Sequence, residues 1–119
     1  MHRPRADALG AEPDLQIDIE NVQRWTARAA TADSFQRERV FLAGDAAHVM
    51  PPNGGFGGNT GVADAHNLAW KLALTTQGTA GSALLDTYEV ERRPIGALRV
   101  EQAYTRYVLR VDPSLDRTT

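Results

Sequence analysis

With 119 residues, the chain is long enough for one domain at most, and its net charge of −2 disfavours nucleic acid or an acidic membrane surface as a partner. Because it contains no cysteine, disulfides, thiolate metal sites and cysteine nucleophiles are excluded. No apolar run approaches the roughly 20 residues of a membrane span, and the N-terminus lacks an apolar signal core, so we expect a cytoplasmic protein.

Two segments are predicted before residue 39. Residues 1–14 are polar and contain two prolines and a glycine, which predicts a flexible arm. Residues 15–33 alternate roughly between apolar and polar side chains, which predicts one or two strands, with a helix in part of residues 20–32 as the alternative. Trp25 is expected to lie in the core.

The next segment begins with the short apolar run Val40–Ala43, which predicts a buried strand. Gly44 and Asp45 follow it directly. A carboxylate is therefore expected at the C-terminal end of that strand, where ligands of open α/β sheets collect. Pro51 and Pro52 exclude a helix from the loop that follows.

A helix is predicted from about Thr60 to Thr76, where apolar residues recur at intervals of three and four. Asn59 or Thr60 is expected to cap it, and Asp64 to face the positive end of its dipole. On this helix, Trp70 is expected to pack and Lys71 to lie on a solvated face.

A second helix is predicted from about Ser82, with Pro94 ending, kinking or restarting it. Glu91, Arg92 and Arg93 on this helix are expected to form an ion-pair network, although one arginine facing a cofactor is the alternative. Residues 112–119 are polar and contain a proline, which predicts a loose tail.

The glycine-rich loop fits none of the common phosphate or metal motifs. Its five glycines between residues 54 and 61 match no G-x-G-x-x-G spacing, and no lysine follows them as in a P-loop. The three histidines lack metal-ligand spacing, so no metal site is predicted. His48 is expected to be a loop histidine that bonds to the backbone and has no acid–base role.

A carboxylate and a helix start remain as the features of a ligand site. The Asp45 carboxylate can accept hydrogen bonds from ligand hydroxyls. The free N–H groups at the start of the following helix favour negative charge. A polyhydroxylated chain joined to a ring that becomes anionic satisfies both features, and a flavin is such a ligand.

The residues from Val40 to Ala73 resemble the second FAD-binding motif of the flavin-dependent aromatic hydroxylases (group A flavoprotein monooxygenases), which include phenol-type and aromatic-polyketide hydroxylases. The resemblance extends from about Arg39 to Pro94. It is carried by Gly44-Asp45-Ala46-Ala47-His48, Pro51-Pro52, Gly55-x-Gly57-x-Asn59-x-Gly61, Asp64-Ala65-x-Asn67-Leu68-Ala69-Trp70-Lys71-Leu72 and Leu84-Leu85-x-x-Tyr88-x-x-Glu91-Arg92-Arg93-Pro94.

The resemblance implies roles for individual residues. Asp45 is expected to hydrogen-bond the ribityl hydroxyls of FAD, and the backbone from Gly57 to Asn59 is expected to approach the pyrimidine edge of the isoalloxazine ring. Pro52 is expected to place its carbonyl beside the reacting ring, as the one catalytic contact. The implied cofactor-binding residues are Gly44, Asp45, Pro52, Gly57, Gly58 and Asn59.

The resemblance also implies a fold and a reaction. The fold is α/β, a fragment of an FAD/NAD(P)-binding Rossmann-like hydroxylase in which residues 15–38 end the substrate sheet and residues 39–111 carry the flavin loop and two helices. The reaction uses NAD(P)H and O₂ to hydroxylate an aromatic small molecule. The family's diphosphate-binding G-x-G-x-x-G unit and its Asp-Gly motif are not in this sequence, so the isolated chain is expected to be inactive.

Two other interpretations stay open at this point. The chain is either a truncated or regulatory module without catalysis, which forms a homo-oligomer through exposed strand edges and helix faces, or it pairs with a separate polypeptide that supplies the missing FAD half.

Overall fold

Two long helices dominate the computed structural model, which describes Asp18 and residues 20–111. Helix α1 runs over Phe56–Thr76, and helix α2 runs over Ala83–Val111. The turn between them contains Gly78 with a φ of +73°, a left-handed conformation that suits glycine after a helix. The two helices pack against each other and against the segment that precedes them.

Four two-residue strands precede the helices. Strand β1 pairs antiparallel with β4, and β2 pairs antiparallel with β3. A short 3₁₀ turn at Gly44–Ala46 lies between β3 and β4. The fold is therefore α/β, as predicted, with few strands and two helices. The strands are β1 Ala30–Thr31, β2 Gln36–Arg37, β3 Val40–Phe41 and β4 His48–Val49.

The segment before β1 differs from the prediction. Residues 20–29 form neither strand nor helix, so among the described residues between 15 and 38 only β1 and β2 represent the expected sheet. Trp25 is 65% exposed rather than part of the core, because the irregular segment that carries it does not pack into the cluster around Phe35. The predicted arm at residues 1–14 and the predicted tail at residues 112–119 lie outside the described residues.

The predicted buried strand Val40–Ala43 is shorter and more open than expected. Strand β3 covers only Val40–Phe41, and Val40 is 63% exposed. The reason is that β3 pairs only with β2 within the described part of the chain, so no second strand covers its other edge.

The core forms where α2 meets the strands. Phe35, Ala47 and Tyr88 are fully buried there. The Tyr88 ring lies 6.4 Å from the Phe35 ring and 6.1 Å from the Phe41 ring, between centroids. The Tyr88 hydroxyl donates a hydrogen bond of 2.7 Å to the carbonyl of Leu42. The Tyr88 side chain therefore joins α2 to the residue before β2, to strand β3 and to the residue that follows β3.

A carboxylate on the next residue of α2 fixes the loop before β2. Glu89 accepts hydrogen bonds from the Ser34 hydroxyl at 2.6 Å and from the N–H groups of Phe35 at 2.7 Å and Gln36 at 2.8 Å. These bonds, that from Ser34 first, hold the pKa of the Glu89 carboxyl below its usual range.

Helix α2 passes through Pro94 without ending. Proline removes one intrahelical hydrogen bond, and its exposed position leaves the affected carbonyl accessible to water. Two residues later, Gly96 permits close packing, because a Cβ there would lie 3.0 Å from His48 Cδ2 and 3.1 Å from Phe35 Cζ.

Tyr88→Phe is expected to remove a pH dependence of stability as well as a hydrogen bond. Burial, with a smaller contribution from the charge of Asp64, raises the pKa of Tyr88 from 10.0 to about 12. Since folding favours the protonated hydroxyl, its contribution is complete below pH 10 and is lost as the pH rises towards 12. The substitution should cost about 0.5–1.5 kcal/mol below pH 10 and flatten the alkaline decline.

Urea unfolding midpoints measured across this pH range test the expectation. Tyr104→Phe is the matched control, because Tyr104 is 53% exposed on the same helix. An alkaline decline of equal steepness in the Tyr88→Phe and unmodified proteins would contradict it.

Candidate functional site

The first part of the site is the Gly44–Ala46 turn, which presents a carboxylate to solvent. Gly44 has a φ of +60°, a conformation that glycine adopts without strain. Asp45 is exposed, and within residues 20–111 its side chain accepts no hydrogen bond. The carboxylate is therefore available to a ligand.

The second part is the start of α1, which begins four residues before the predicted Thr60. Gly57, Gly58 and Asn59 consequently lie in the first helical turn. The N–H of Asn59 reaches the Gly55 carbonyl at 3.5 Å. The N–H groups of the three preceding residues come before the first intrahelical bond and point out of the helix end. They are the donors that this end offers to a ligand.

The predicted caps Asn59 and Thr60 have other roles. Asn59 Nδ2 donates to the Gly55 carbonyl at 3.0 Å, and Thr60 Oγ1 donates to the Phe56 carbonyl at 2.6 Å. Both side chains thus bond to carbonyls of the preceding turn. The N-cap residue is Gly55, whose φ of +70° turns the chain into α1 without a hydrogen bond from a capping side chain.

Two glycines bring the turn and the helix together. A Cβ on Gly61 of α1 would lie only 3.2 Å from the Cα of Gly44, so the turn leaves no room for a side chain at Gly61. At Gly58, by contrast, a Cβ would meet nothing within 4 Å. The helix surface is therefore closely packed at Gly61 and open at Gly58, where a flat ligand can approach the backbone.

The Pro51-Pro52 segment leads into this helix. Pro51 is buried, and its carbonyl accepts a hydrogen bond of 2.7 Å from the N–H of Asn53. Pro52 is exposed, and its carbonyl accepts no hydrogen bond from the described part of the chain. The exposure of Pro52 is compatible with the contact that the resemblance implies.

Beneath the turn lies a buried network that the sequence analysis missed. Asp64 is 0% exposed, and its Oδ2 lies 2.6 Å from His48 Nε2 and 3.2 Å from the backbone nitrogen of Gly44. Its Oδ1 accepts a hydrogen bond of 2.8 Å from Arg92 Nε on α2. Arg92 also donates to the Thr60 carbonyl at 3.4 Å.

Two expectations are wrong here. Asp64 does not face the helix dipole, because α1 starts at Phe56 and Asp64 lies well inside it. His48 bonds to a carboxylate rather than to the backbone. The available signal was position, since Asp64 follows Gly61 by three residues and shares the helix face that approaches Gly44.

A second ion pair joins the two helices further along. Lys71, predicted to be solvated, is 1% exposed and donates to Glu91 at 2.8 Å; Asn67 Nδ2 donates to the same carboxylate at 2.7 Å. These bonds, that from Lys71 first, lower the pKa of Glu91. Glu91 and Arg92 of α2 thus form the expected ion pairs, with Lys71 and Asp64 of α1 as the partners, whereas Arg93 donates to the Ala32 carbonyl at 3.2 Å. Trp70 beside it is 44% exposed.

The described residues contain no group of three or more side chains able to hold a metal ion. None of the described helices is sufficiently long and apolar to cross a membrane.

Comparison with known sequences identifies relatives of the chain. The profile of a family described as FAD binding domain matches residues 2–103. The 4-methyl-5-nitrocatechol 5-monooxygenase of Burkholderia sp is 64% identical over 113 residues, 94% of this chain and 20% of that protein. Tetracenomycin B2 monooxygenase-dioxygenase of Streptomyces olivaceus is 56% identical over 100 residues, 84% of this chain and 19% of that protein. The chain thus spans about a fifth of their length.

Solved structures agree with this relationship. Aklavinone-11 hydroxylase in complex with FAD and aklavinone is 46% identical, with a TM-score of 0.83 over 94% of this chain and 21% of that one. The rebeccamycin biosynthetic enzyme RebC with reduced flavin is 46% identical, with a TM-score of 0.76 over 82% of this chain and 19% of that one. The α/β architecture is therefore part of the fold of FAD-dependent hydroxylases, and the chain belongs to the FAD binding domain family.

Proposed function

We propose that this chain forms the flavin-ring side of an FAD site in a monooxygenase that hydroxylates a phenolic or polyketide aromatic substrate with NAD(P)H and O₂. The observation that carries the proposal is the exposed Asp45 carboxylate, on a turn that packs against Gly61 of α1. Bound FAD would supply the redox chemistry. Within this assignment residues 39–111 form the flavin part, and residues 15–38 end the substrate sheet.

The residues present fit a flavin. Asp45 has no partner among residues 20–111, so its carboxylate can accept charge-assisted hydrogen bonds from ribityl hydroxyls. The backbone from Gly57 to Asn59 lies in the first turn of α1, where the N–H groups of Gly57 and Gly58 are free for the pyrimidine edge. This helix end favours negative charge by about 0.3–1 kcal/mol. Gly44 permits the turn, and the exposed Pro52 would offer its carbonyl to the reacting ring.

The same residues serve only part of the cofactor. The sequence contains no G-x-G-x-x-G unit for a diphosphate. We therefore infer that the purified 119-residue chain does not turn over, and that it recognises the ring and ribityl chain alone.

Riboflavin and FAD are accordingly expected to bind the purified chain weakly, with dissociation constants within about threefold of each other, a difference below roughly 0.7 kcal/mol. Quenching of flavin fluorescence measures both. FAD binding tenfold or more tighter than riboflavin would contradict the inferred half-site, and so would NAD(P)H-dependent hydroxylation by the chain alone.

Asp45→Ala tests the central residue. The most informative context is a chimera in which this chain replaces the matching segment of the Burkholderia monooxygenase, because the rest of that protein is then present. Loss of charge-assisted hydrogen bonds worth about 1.5–3 kcal/mol should weaken FAD binding roughly 10- to 100-fold.

The matched control is Asp33→Asn, which changes an exposed carboxylate outside the turn and should leave FAD affinity unchanged. A chimera that takes up no FAD, or FAD affinity unaltered by Asp45→Ala, would overturn the proposal.

A module that acts by association is the second candidate. Exposed apolar side chains on both helices favour it, since Val62 is 70% exposed and Val90 is 75% exposed. The occupant of these faces is either a second copy or a separate chain that supplies the remaining FAD contacts. Sedimentation velocity distinguishes these cases, and a monomer that carries a visible flavin spectrum would exclude both.

A further inference from the structure

We propose that Asp64 is the positioning residue of this site: it fixes the Gly44–Ala46 turn on α1 and thereby sets the place of the Asp45 carboxylate. The inference rests on the proposed function, because Asp45 is the residue through which Asp64 acts. Asp64 itself is fully buried, so it can act on a ligand only through another residue.

The contacts of Asp64 divide between its two oxygens. Oδ2 faces the turn, where it accepts the N–H of Gly44 at 3.2 Å and lies 2.6 Å from His48 Nε2. Oδ1 faces α2, where it accepts Arg92 Nε at 2.8 Å. One carboxylate on α1 therefore joins the turn, strand β4 and helix α2.

The bond to Gly44 is the one that bears on the ligand. Gly44 immediately precedes Asp45, and its carbonyl accepts the N–H of Ala47 at 2.9 Å. Both backbone polar groups of Gly44 are thus engaged. Because the turn has only three residues, fixing Gly44 leaves the backbone of Asp45 little freedom.

The other contact between turn and helix cannot replace this bond. Gly61 meets Gly44 by backbone packing alone, which limits approach but sets no direction. Within residues 20–111, the turn receives no side-chain hydrogen bond from α1 other than that of Asp64. A charge-assisted hydrogen bond in a buried position is stronger and more directional than this backbone contact.

His48 completes the arrangement. Its Nδ1 is buried and has no hydrogen-bond partner in the described part of the chain. The tautomer with the proton on Nε2 therefore satisfies the short contact, with His48 as donor to Asp64. Arg92 then pairs with the other oxygen of the same carboxylate, while Oδ2 accepts from both Gly44 and His48.

A double-mutant cycle in the chimera tests the inference. Asp64→Asn should weaken FAD binding about tenfold when Asp45 is present, and less than about twofold in an Asp45→Ala background. FAD titrations are made at a temperature below the thermal unfolding midpoint of every variant, so that the affinities of folded proteins are compared. Asp64→Glu, which retains the charge but displaces the carboxylate, should show the same dependence on Asp45 and serves where Asp64→Asn does not fold.

Arg92→Lys is the structural control. It disturbs the bond to Oδ1 but leaves Oδ2 with Gly44, so it should lower the unfolding midpoint while FAD affinity stays within about twofold. The inference is overturned if both Asp64 variants weaken FAD equally in the two backgrounds, or if Arg92→Lys weakens it as much. If Asp45→Ala alone has no effect on FAD, the proposed function fails instead.

Discussion

Asp64→Ala is expected to lower the free energy of unfolding by about 3–5 kcal/mol, because it leaves a guanidinium and an imidazole buried without their shared partner. Arg92 would retain only the Thr60 carbonyl at 3.4 Å, and His48 would lose its 2.6 Å contact. A loss of this size is a large share of the roughly 5–15 kcal/mol that stabilises a typical domain. Urea unfolding followed by circular dichroism measures it.

The comparison variant is Asp33→Ala, which removes an exposed carboxylate and should change stability by less than about 0.5 kcal/mol. A loss below about 1 kcal/mol for Asp64→Ala would show that the network is not an important stabilising contact.

Gly61→Ala is expected to destabilise the protein by about 1–3 kcal/mol, although alanine is the better helix former by about 1 kcal/mol. The added methyl would lie 3.2 Å from the Cα of Gly44. Backbone cannot rotate away as a side chain can, so α1 and the turn must separate. Thermal unfolding and urea titration both report the change.

Gly58→Ala on the same helix provides the opposite expectation. Its Cβ meets nothing within 4 Å, so only the helix propensity changes and stability should rise by up to about 1 kcal/mol. If both substitutions stabilise the protein, the close contact between Gly44 and Gly61 is not a constraint.

The spacing of apolar residues predicted both helices well but missed the first turn of α1. The predicted end of the first helix at Thr76 is confirmed, and the second begins at Ala83, one residue after the predicted Ser82. Helix α1 starts at Phe56, four residues before the predicted Thr60, although glycines at 57 and 58 have low helix propensity. Packing of this region against the Gly44 turn and Met50 overrides that preference.

The partners of the buried polar residues were the part of the structure that the sequence predicted least well. Asp64 and Arg92 are 28 residues apart, and Lys71 and Glu91 are 20 apart. Helical spacing shows which residues share a face of one helix, but not which helix lies opposite. The sequence therefore indicates a solvated face for Lys71 and a dipole role for Asp64, and it identifies the partner of neither residue.

The family and its fold were recognisable because the Gly-Asp, Pro-Pro and glycine positions lie within one continuous stretch. The strands before residue 39 were less predictable, since a strand is stabilised by a partner elsewhere in the chain. Strand β1 pairs with β4, whose residues lie 17 or more positions away in the sequence. The roles of Asp45, Pro52 and the α1 start stay predictions.

The bonds that α2 makes to earlier segments have a consequence for folding. Tyr88 reaches Leu42 across 46 residues, Glu89 reaches Phe35 across 54, and Arg93 donates to the Ala32 carbonyl across 61. Such distant contacts are slow to form, because the intervening loop must close first. During synthesis residues 32–42 would therefore lack these bonds until the first half of α2 has emerged. Until then their backbone would be exposed to proteases and to other chains.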